Sequence, residues 1–181
     1  IGLPGWTAKT MLQFADDSKF GLRAAVKRVK DPSLSLVIIL AGTNDLGIEA
    51  GLSDGGGEHH QGSDRISSDV IALHKLVQDE GNNSTILTLA VSIPTSKWQE
   101  TMSLRAQAMA ADANSKIQAW CNATKNAHFV THPIESWSSD DSRWAPDGLH
   151  FSPQGYEEFG ASLSPIVRQL LFPEISNDEF H

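Results

Sequence analysis

The sequence predicts an α/β fold in which a parallel β-sheet lies between two layers of helices. Three short apolar runs rich in β-branched residues occupy residues 34–41, 85–92 and 127–131. None of them alternates cleanly with polar residues, which is typical of strands that are covered on both faces. Helical patterns separate the runs, and this alternation indicates a parallel sheet. We therefore expect a single three-layer domain over residues 1–181.

Each helix of this fold has a recognisable start or stripe. The helix between the first two strands is predicted to begin at Ser63 as N-cap and to end at Gly81. An alanine-rich stretch with approximate helical spacing predicts a long helix over residues 100–121. The last helix is predicted to begin with Ser152 as N-cap, followed by Pro153.

Three other segments carry structural predictions. Pro165 lies within the apolar stripe of the last helix and is expected to kink or break it. Residues 173–181 are polar and acidic without a pattern, so we expect a loose tail. Residues 51–62 contain three consecutive glycines followed by a His-His pair, which predicts a mobile loop. Adjacent histidines on such a loop make a poorly preorganised site, so we expect no metal there.

Composition excludes several classes of function. Hydrophobic residues make up 40% of the chain and no apolar run is long enough to span a membrane. The formal net charge of -8, without clustered Lys and Arg, argues against a nucleic-acid surface. Cys121 is the single cysteine, so neither an intrachain disulfide nor a cysteine zinc site can form. We expect Cys121 to be a small buried hydrophobe.

Two polar motifs follow predicted structural elements. Asp147 precedes His150 by three residues in a turn that leads into a helix, so the carboxylate can accept the Nδ1–H and leave Nε2 as a base. Upstream, the first apolar run leads into Gly42-Thr43-Asn44-Asp45 at the carboxyl end of a predicted parallel strand. Open α/β sheets form their sites at that edge, where the Asn44 amide can stabilise an oxyanion.

Together these motifs resemble the later sequence blocks of the SGNH (GDSL-type) serine esterases. The stretch Asp-Gly-Leu-His-Phe-Ser-Pro-x-Gly-Tyr at residues 147–156 matches the block with the triad acid and base, and Gly-x-Asn-Asp matches the block with the oxyanion-hole asparagine. The opening Gly-x-x-Gly-x-Thr resembles a further block, in which Gly5 is the candidate for a backbone oxyanion donor. The resemblance implies a flavodoxin-like SGNH hydrolase fold that needs no cofactor or metal.

The chain departs from the family in one respect, because it contains no Gly-Asp-Ser block and so no matching nucleophile. In the family that block includes the first strand, which lies inside the sheet, so this strand is expected to be missing as well. Three explanations are open: the chain is a fragment of a longer esterase, it is a shortened paralogue without catalysis, or a partner chain supplies the strand. We favour the fragment, because Asn44, Asp147 and His150 are all intact. Ser92 and Ser152 are unconvincing replacements for the nucleophile.

The predicted function is hydrolysis of a small-molecule ester, which the resemblance suggests is a carboxylester, a lipid or an O-acetylated carbohydrate. A serine upstream of Ile1 would attack, His150 would transfer the proton, and Asp147 would orient His150. Trp98 and Trp144 flank the predicted site and are candidates for lining a substrate pocket. The alternatives are an acyltransferase that uses the same site and a non-catalytic binding module.

Overall fold

The computed structural model describes residues 2–29, 34–51, 59–80, 86–102 and 104–173. Three parallel strands form one sheet in the order β1, β2, β3: Leu36–Ile39, Leu87–Val91 and Ala127–Val130. Each strand lies inside a predicted run, so the α/β class and the parallel sheet are confirmed. The helices of the described residues are α1 Ala8–Gln13, α2 Leu22–Arg28, α3 Thr43–Gly51, α4 His59–Glu80, α5 Lys97–Met102, α6 Leu104–Ala123 and α7 Pro153–Leu171.

The strands differ in how fully they are buried. All residues of the central strand β2 except its first are buried, as continuous apolar strands under helices should be. Along the edge strand β1, by contrast, the side chain of Ile38 is 42% exposed, and Leu40 just beyond it is 37% exposed. Within the described residues, β1 pairs with β2 alone. One hydrogen-bonding edge of β1 is therefore open.

The main core lies between the sheet and the helices α4 and α6, which pack against each other. Leu73 and Val77 of α4 are fully buried there. Cys121 of α6 belongs to the same cluster, which confirms that it is a buried hydrophobe. Burial raises the pKa of its thiol to about 11, so the thiol stays protonated and unreactive.

The helix between the first two strands begins earlier than predicted. It starts at His59, so Ser63 is not its N-cap but lies inside it, with its hydroxyl bonded to the Asp112 carboxylate of α6. The loop prediction for residues 51–62 was therefore wrong at both ends, since Gly51 closes α3 and residues 59–62 are helical. Residues 52–58, Gly81 and the side chains of the His-His pair lie outside what is described. The expectation that no metal binds there stays a prediction.

Two further helices differ from the predictions. The single helix expected over residues 100–121 is divided into α5 and α6. Helix α7 begins as predicted, with the Ser152 hydroxyl accepting from the Gly155 N–H, but it continues past Pro165 without a break. Pro165 and Ala161, whose carbonyl loses its helical partner, are both on the exposed side, where water can satisfy that carbonyl. Residues 174–181 of the predicted tail lie outside the described chain.

Candidate active site

A cavity of about 490 Å³ opens beyond the carboxyl end of β1. Three segments form most of its lining: the N-terminal loop before α1, the residues that follow β1, and the turn that precedes α7. Pro94 after β2, Met11 of α1 and Tyr156 of α7 complete it. The cavity brings together Gly5, Asn44 and His150, which the sequence singled out from distant positions. Most of the remaining lining is apolar and includes Leu3, Pro4, Trp6, Met11, Leu149, Phe151 and Tyr156.

Asp147 and His150 form a direct pair on one side of the cavity. His150 Nδ1 lies 2.8 Å from Asp147 Oδ2, which fixes the proton on Nδ1 and leaves Nε2 as the acceptor. The other carboxylate oxygen accepts the backbone N–H groups of Leu149 at 2.9 Å and His150 at 3.0 Å. These bonds, the one from the His150 ring first, lower the pKa of Asp147 to about 2. Asp147 is therefore an anion at any pH at which the protein is expected to function.

The turn that carries this pair is fixed to its surroundings by backbone hydrogen bonds. The Ala145 N–H donates to the His150 carbonyl, and the Lys97 N–H donates to the Gly148 carbonyl, both at 2.8 Å. Gly148 has a φ of 65°, a left-handed conformation that glycine adopts without strain. The three-residue spacing of the motif thus places the acid and the base in one rigid turn. The side chains of Asp147 and His150 are nevertheless both more than half exposed.

A buried histidine that sequence reasoning missed supports this turn from below. The ring of His132 stacks on Phe151 at 4.7 Å between centroids and on Phe159 of α7 at 4.5 Å. Its Nδ1 accepts the Ile134 N–H at 3.0 Å, and burial lowers its pKa to about 4. A lone histidine beyond a strand carries no motif in the sequence, so only its contacts reveal it. The neutral His132 ring therefore packs against Phe151, the residue that follows His150.

Asn44 lies in the first turn of α3 with its side chain half-buried. Its Nδ2 donates to the Trp6 carbonyl at 2.8 Å. An amide nitrogen carries two hydrogens, so one donor remains after this bond. The bond therefore orients the amide group at the cavity while it ties the N-terminal loop to the segment after β1.

Gly5 lies in that N-terminal loop with a φ of 77°. A glycine lets the backbone approach a substrate closely, because no Cβ lies between them. A Cβ added at Gly5 would meet no atom within 4 Å, so in this structure the requirement comes from the left-handed backbone. Gly5 is one of the residues that line the cavity.

The two tryptophans chosen from the sequence do not line this cavity. Trp144 is 6% exposed, packs on Phe151 at 4.6 Å between ring centroids, and donates its Nε1–H to the Ser136 carbonyl at 3.3 Å. A substrate contact at Trp144 stays a prediction without support from this cavity, because the ring packs in the core under the turn. Trp98 is 39% exposed on α5, outside the lining. Trp6, which was not chosen, lines the cavity instead.

No serine or cysteine is among the lining residues of the described cavity, whose side-chain hydroxyls belong to Thr43 and Tyr156. The serines considered from the sequence are used elsewhere. Ser92 is buried and its hydroxyl accepts the His132 N–H at 2.8 Å. The Ser152 hydroxyl donates to the Ser142 carbonyl at 2.7 Å while it caps α7. Both fit the expectation that neither is the nucleophile.

Comparison with known proteins adds a family and a fold. Residues 1–158 match the sequence model of the GDSL-like lipase/acylhydrolase family. No curated protein matches the chain significantly.

Three solved structures share the fold at low sequence identity. A GDSL-like lipase from Bacteroides thetaiotaomicron is 17% identical, with a TM-score of 0.61 over 93% of this chain and 74% of its own. A Bacteroides fragilis protein provisionally named an acylhydrolase is 18% identical, with a TM-score of 0.61 over 94% and 74% of the two chains. A Streptococcus pneumonia protein provisionally named a platelet activating factor is 18% identical, with a TM-score of 0.62 over 90% and 69%.

The described part of the chain has neither a membrane-spanning helix nor a cluster of metal ligands. It contains no helix that is both long and apolar enough to cross a membrane. In the same residues, no group of three or more His, Cys, Asp or Glu side chains is arranged to hold a metal ion.

Proposed function

Because the chain belongs to the GDSL-like lipase/acylhydrolase family, we propose that the cavity is the active site of a serine ester hydrolase. The observation that carries this proposal is the 2.8 Å contact between His150 Nδ1 and Asp147 Oδ2 in a turn that lines the same cavity as Asn44 and Gly5. A base held in one tautomer beside two candidate oxyanion donors is the arrangement that acyl transfer requires.

The proposed reaction has two steps. A serine hydroxyl attacks the ester carbonyl while His150 Nε2 takes its proton, and the oxyanion accepts hydrogen bonds from the Asn44 amide and the Gly5 N–H. The imidazolium then donates the proton to the leaving alcohol. The alcohol departs and the acyl group stays on the serine as an acyl-enzyme. Water deprotonated by His150 hydrolyses the acyl-enzyme and restores the serine. Asp147 stays ionised throughout, since its pKa is about 2, and stabilises the imidazolium.

We place the serine on a segment outside these 181 residues, because no serine is among the described lining residues. The open edge of β1 supports this assignment. An apolar groove runs along that edge and shares Leu3, Met11 and Leu40 with the cavity. A strand added there in parallel would bury Ile38 and end beside the cavity. An upstream segment of the same polypeptide or a partner chain could supply it.

The lining of the cavity favours an uncharged substrate with an apolar acyl group. Its described lining residues include no Asp, Glu, Lys or Arg. The substrate classes that fit are a carboxylester, a lipid or an acetylated carbohydrate. An alcohol that replaces water in the second step would make the same site an acyltransferase.

A non-catalytic binding module is the second candidate, and the lack of a serine among the described lining residues is the observation that favours it. The two candidates differ in what an added strand should do. For a binding module the strand completes the fold only, whereas for the hydrolase it also adds the nucleophile.

The test compares this chain with an extended form that continues upstream through a Gly-Asp-Ser motif. We expect the 181 residues alone to hydrolyse a short-chain p-nitrophenyl ester no faster than their His150→Ala variant, because water attack without a nucleophile is far slower. We expect the extended form to be active and to lose that activity on His150→Ala. His128→Ala is the matched control, because His128 lies in β3 outside the cavity and should leave turnover unchanged.

Two outcomes would contradict the proposal. Activity of the 181 residues that depends on His150 would mean that the nucleophile is inside the chain, and Thr43 would be the first residue to replace. A folded but inactive extended form would favour the binding module.

A further inference from the structure

Asp45 is a buried carboxylate that the proposed chemistry does not use. Asp45 is 5% exposed and lies at the start of α3, directly after Asn44. Both of its oxygens accept the Ala8 N–H, at 3.1 and 3.0 Å, across 37 residues of sequence. Burial raises its pKa above the ordinary value, and the bond from Ala8 partly offsets that effect. Burial of a carboxylate costs free energy, so we looked for a role that Asp45 could have.

The bond from Ala8 is one of a pair that clamps the N-terminal loop. Asn44 binds the Trp6 carbonyl at 2.8 Å, so two consecutive side chains of α3 hold residues on either side of Thr7. Gly5 directly precedes Trp6. Within residues 2–7 the Trp6 N–H donates to the Leu3 carbonyl, in a turn bond that is long at 3.2 Å. The position of Gly5 relative to Asn44 therefore depends on these two side chains.

We propose that Asp45 is a positioning residue that holds the Gly5 N–H at a fixed distance from the Asn44 amide, so that both point at one oxyanion. The proposal rests on the proposed function for its catalytic consequence and on the contacts above for its geometry. Asn44 itself does two things in this arrangement, since one amide hydrogen binds the loop and the other is left for the substrate. Asp45 contributes the second fixed point, without which the loop could pivot about the Asn44 bond.

The geometric part is tested in the 181-residue chain without any turnover. Asp45→Ala removes both acceptors, and we expect amide hydrogen exchange at Ala8 and Trp6 to accelerate about tenfold or more. Asp45→Asn keeps one oxygen acceptor and should retain most of the protection. Asp17→Ala is the matched control, because Asp17 is another aspartate that accepts backbone N–H groups, from Phe20 at 2.8 Å and Lys19 at 2.9 Å, but lies outside the cavity lining. It should leave exchange at both amides unchanged.

The catalytic part is tested in the extended form. We expect Asp45→Ala to lower kcat about 10 to 50-fold with KM within about threefold, because an oxyanion donor acts in the transition state more than in the bound substrate. Asp45→Asn should recover kcat to within about fivefold of the unmodified protein. A purely structural role predicts instead a loss of folded protein with an unchanged kcat per folded molecule.

The outcomes separate the two proposals. Unchanged exchange at Ala8 and Trp6 in Asp45→Ala overturns the positioning role whether or not the protein is an esterase. Accelerated exchange with an unchanged kcat overturns it as well, because the loop then does not carry an oxyanion donor. If the extended form is inactive, the proposed function fails and the exchange measurement alone decides whether Asp45 holds the loop.

Discussion

The two sides of the cavity are built in different ways. The acid-base wall, residues 145–150, is local: Asp147 binds a ring and two N–H groups within three residues of itself and remains 52% exposed. The opposite wall, for which we propose oxyanion binding and which we call the oxyanion wall, is formed by Gly5, Trp6 and Asn44. It depends on contacts between positions 37 and 38 residues apart and on the buried carboxylate of Asp45. The Asp147–His150 pair forms within one turn, whereas the oxyanion wall forms only when the domain is assembled.

The largest expected effect comes from breaking the acid-base wall. In the extended form, Asp147→Asn should lower kcat by roughly 1000 to 10,000-fold, because the amide no longer fixes the His150 tautomer or stabilises the imidazolium. The free energy of unfolding should change little, since the side chain is more than half exposed. Steady-state kinetics and urea denaturation measure the two quantities. Asp140→Asn, on the same loop but outside the cavity lining, is the control and should match the unmodified enzyme.

A smaller effect is expected from the oxyanion wall. Asn44→Ala in the extended form should lower kcat by roughly 100-fold or more, because it removes a donor that acts in the transition state and frees the Trp6 carbonyl. KM for a short-chain aryl ester should change much less than kcat. A decrease of less than about threefold in kcat would mean that the Asn44 amide serves only to hold the loop.

The smallest expected effect is on the pH dependence of the free energy of unfolding. Burial lowers the pKa of His132 and of His74 in α4 from 6.5 to about 4, so the unfolded chain binds more protons than the folded one between these values. The free energy of unfolding should therefore fall as pH decreases from 6.5 towards 4, by about 2 kcal/mol for each ring at pH 5. Urea denaturation at pH 7 and pH 5 measures this difference.

Replacement of the rings separates the two contributions. Among the described residues, neither ring nitrogen of the buried His74 has a hydrogen-bond partner, so His74→Leu should reduce the pH dependence with little loss of stability at pH 7. His132→Leu should reduce it as well, but it should also loosen the turn through the lost stacking on Phe151 and Phe159. A stability that is flat between pH 7 and pH 5 in the unmodified chain would contradict both pKa shifts.

The sequence predicted most of what is local. The three strands, the cap of α7 and the Asp147–His150 pair all follow from short patterns, since propensity, capping and a three-residue spacing act over one or two turns. It did not predict the burial of Trp144, because a loop tryptophan can face a pocket or a core and only tertiary packing decides between them. It assigned no role to Asp45, because its partner Ala8 is distant in sequence. The early start of α4 at His59 shows the same limit, since the segment is helical despite its poor helix propensity.

The open edge of β1 has a practical consequence for anyone who handles the chain. An extended backbone with free donors and acceptors, flanked by the exposed side chains of Ile38 and Leu40, is a template on which a second molecule can add its own strand. The purified 181 residues should therefore associate increasingly with concentration, and Ile38→Lys should keep them monomeric. Light scattering across a dilution series would follow this, and the concentration at which growth begins would measure how strongly the edge attracts a strand.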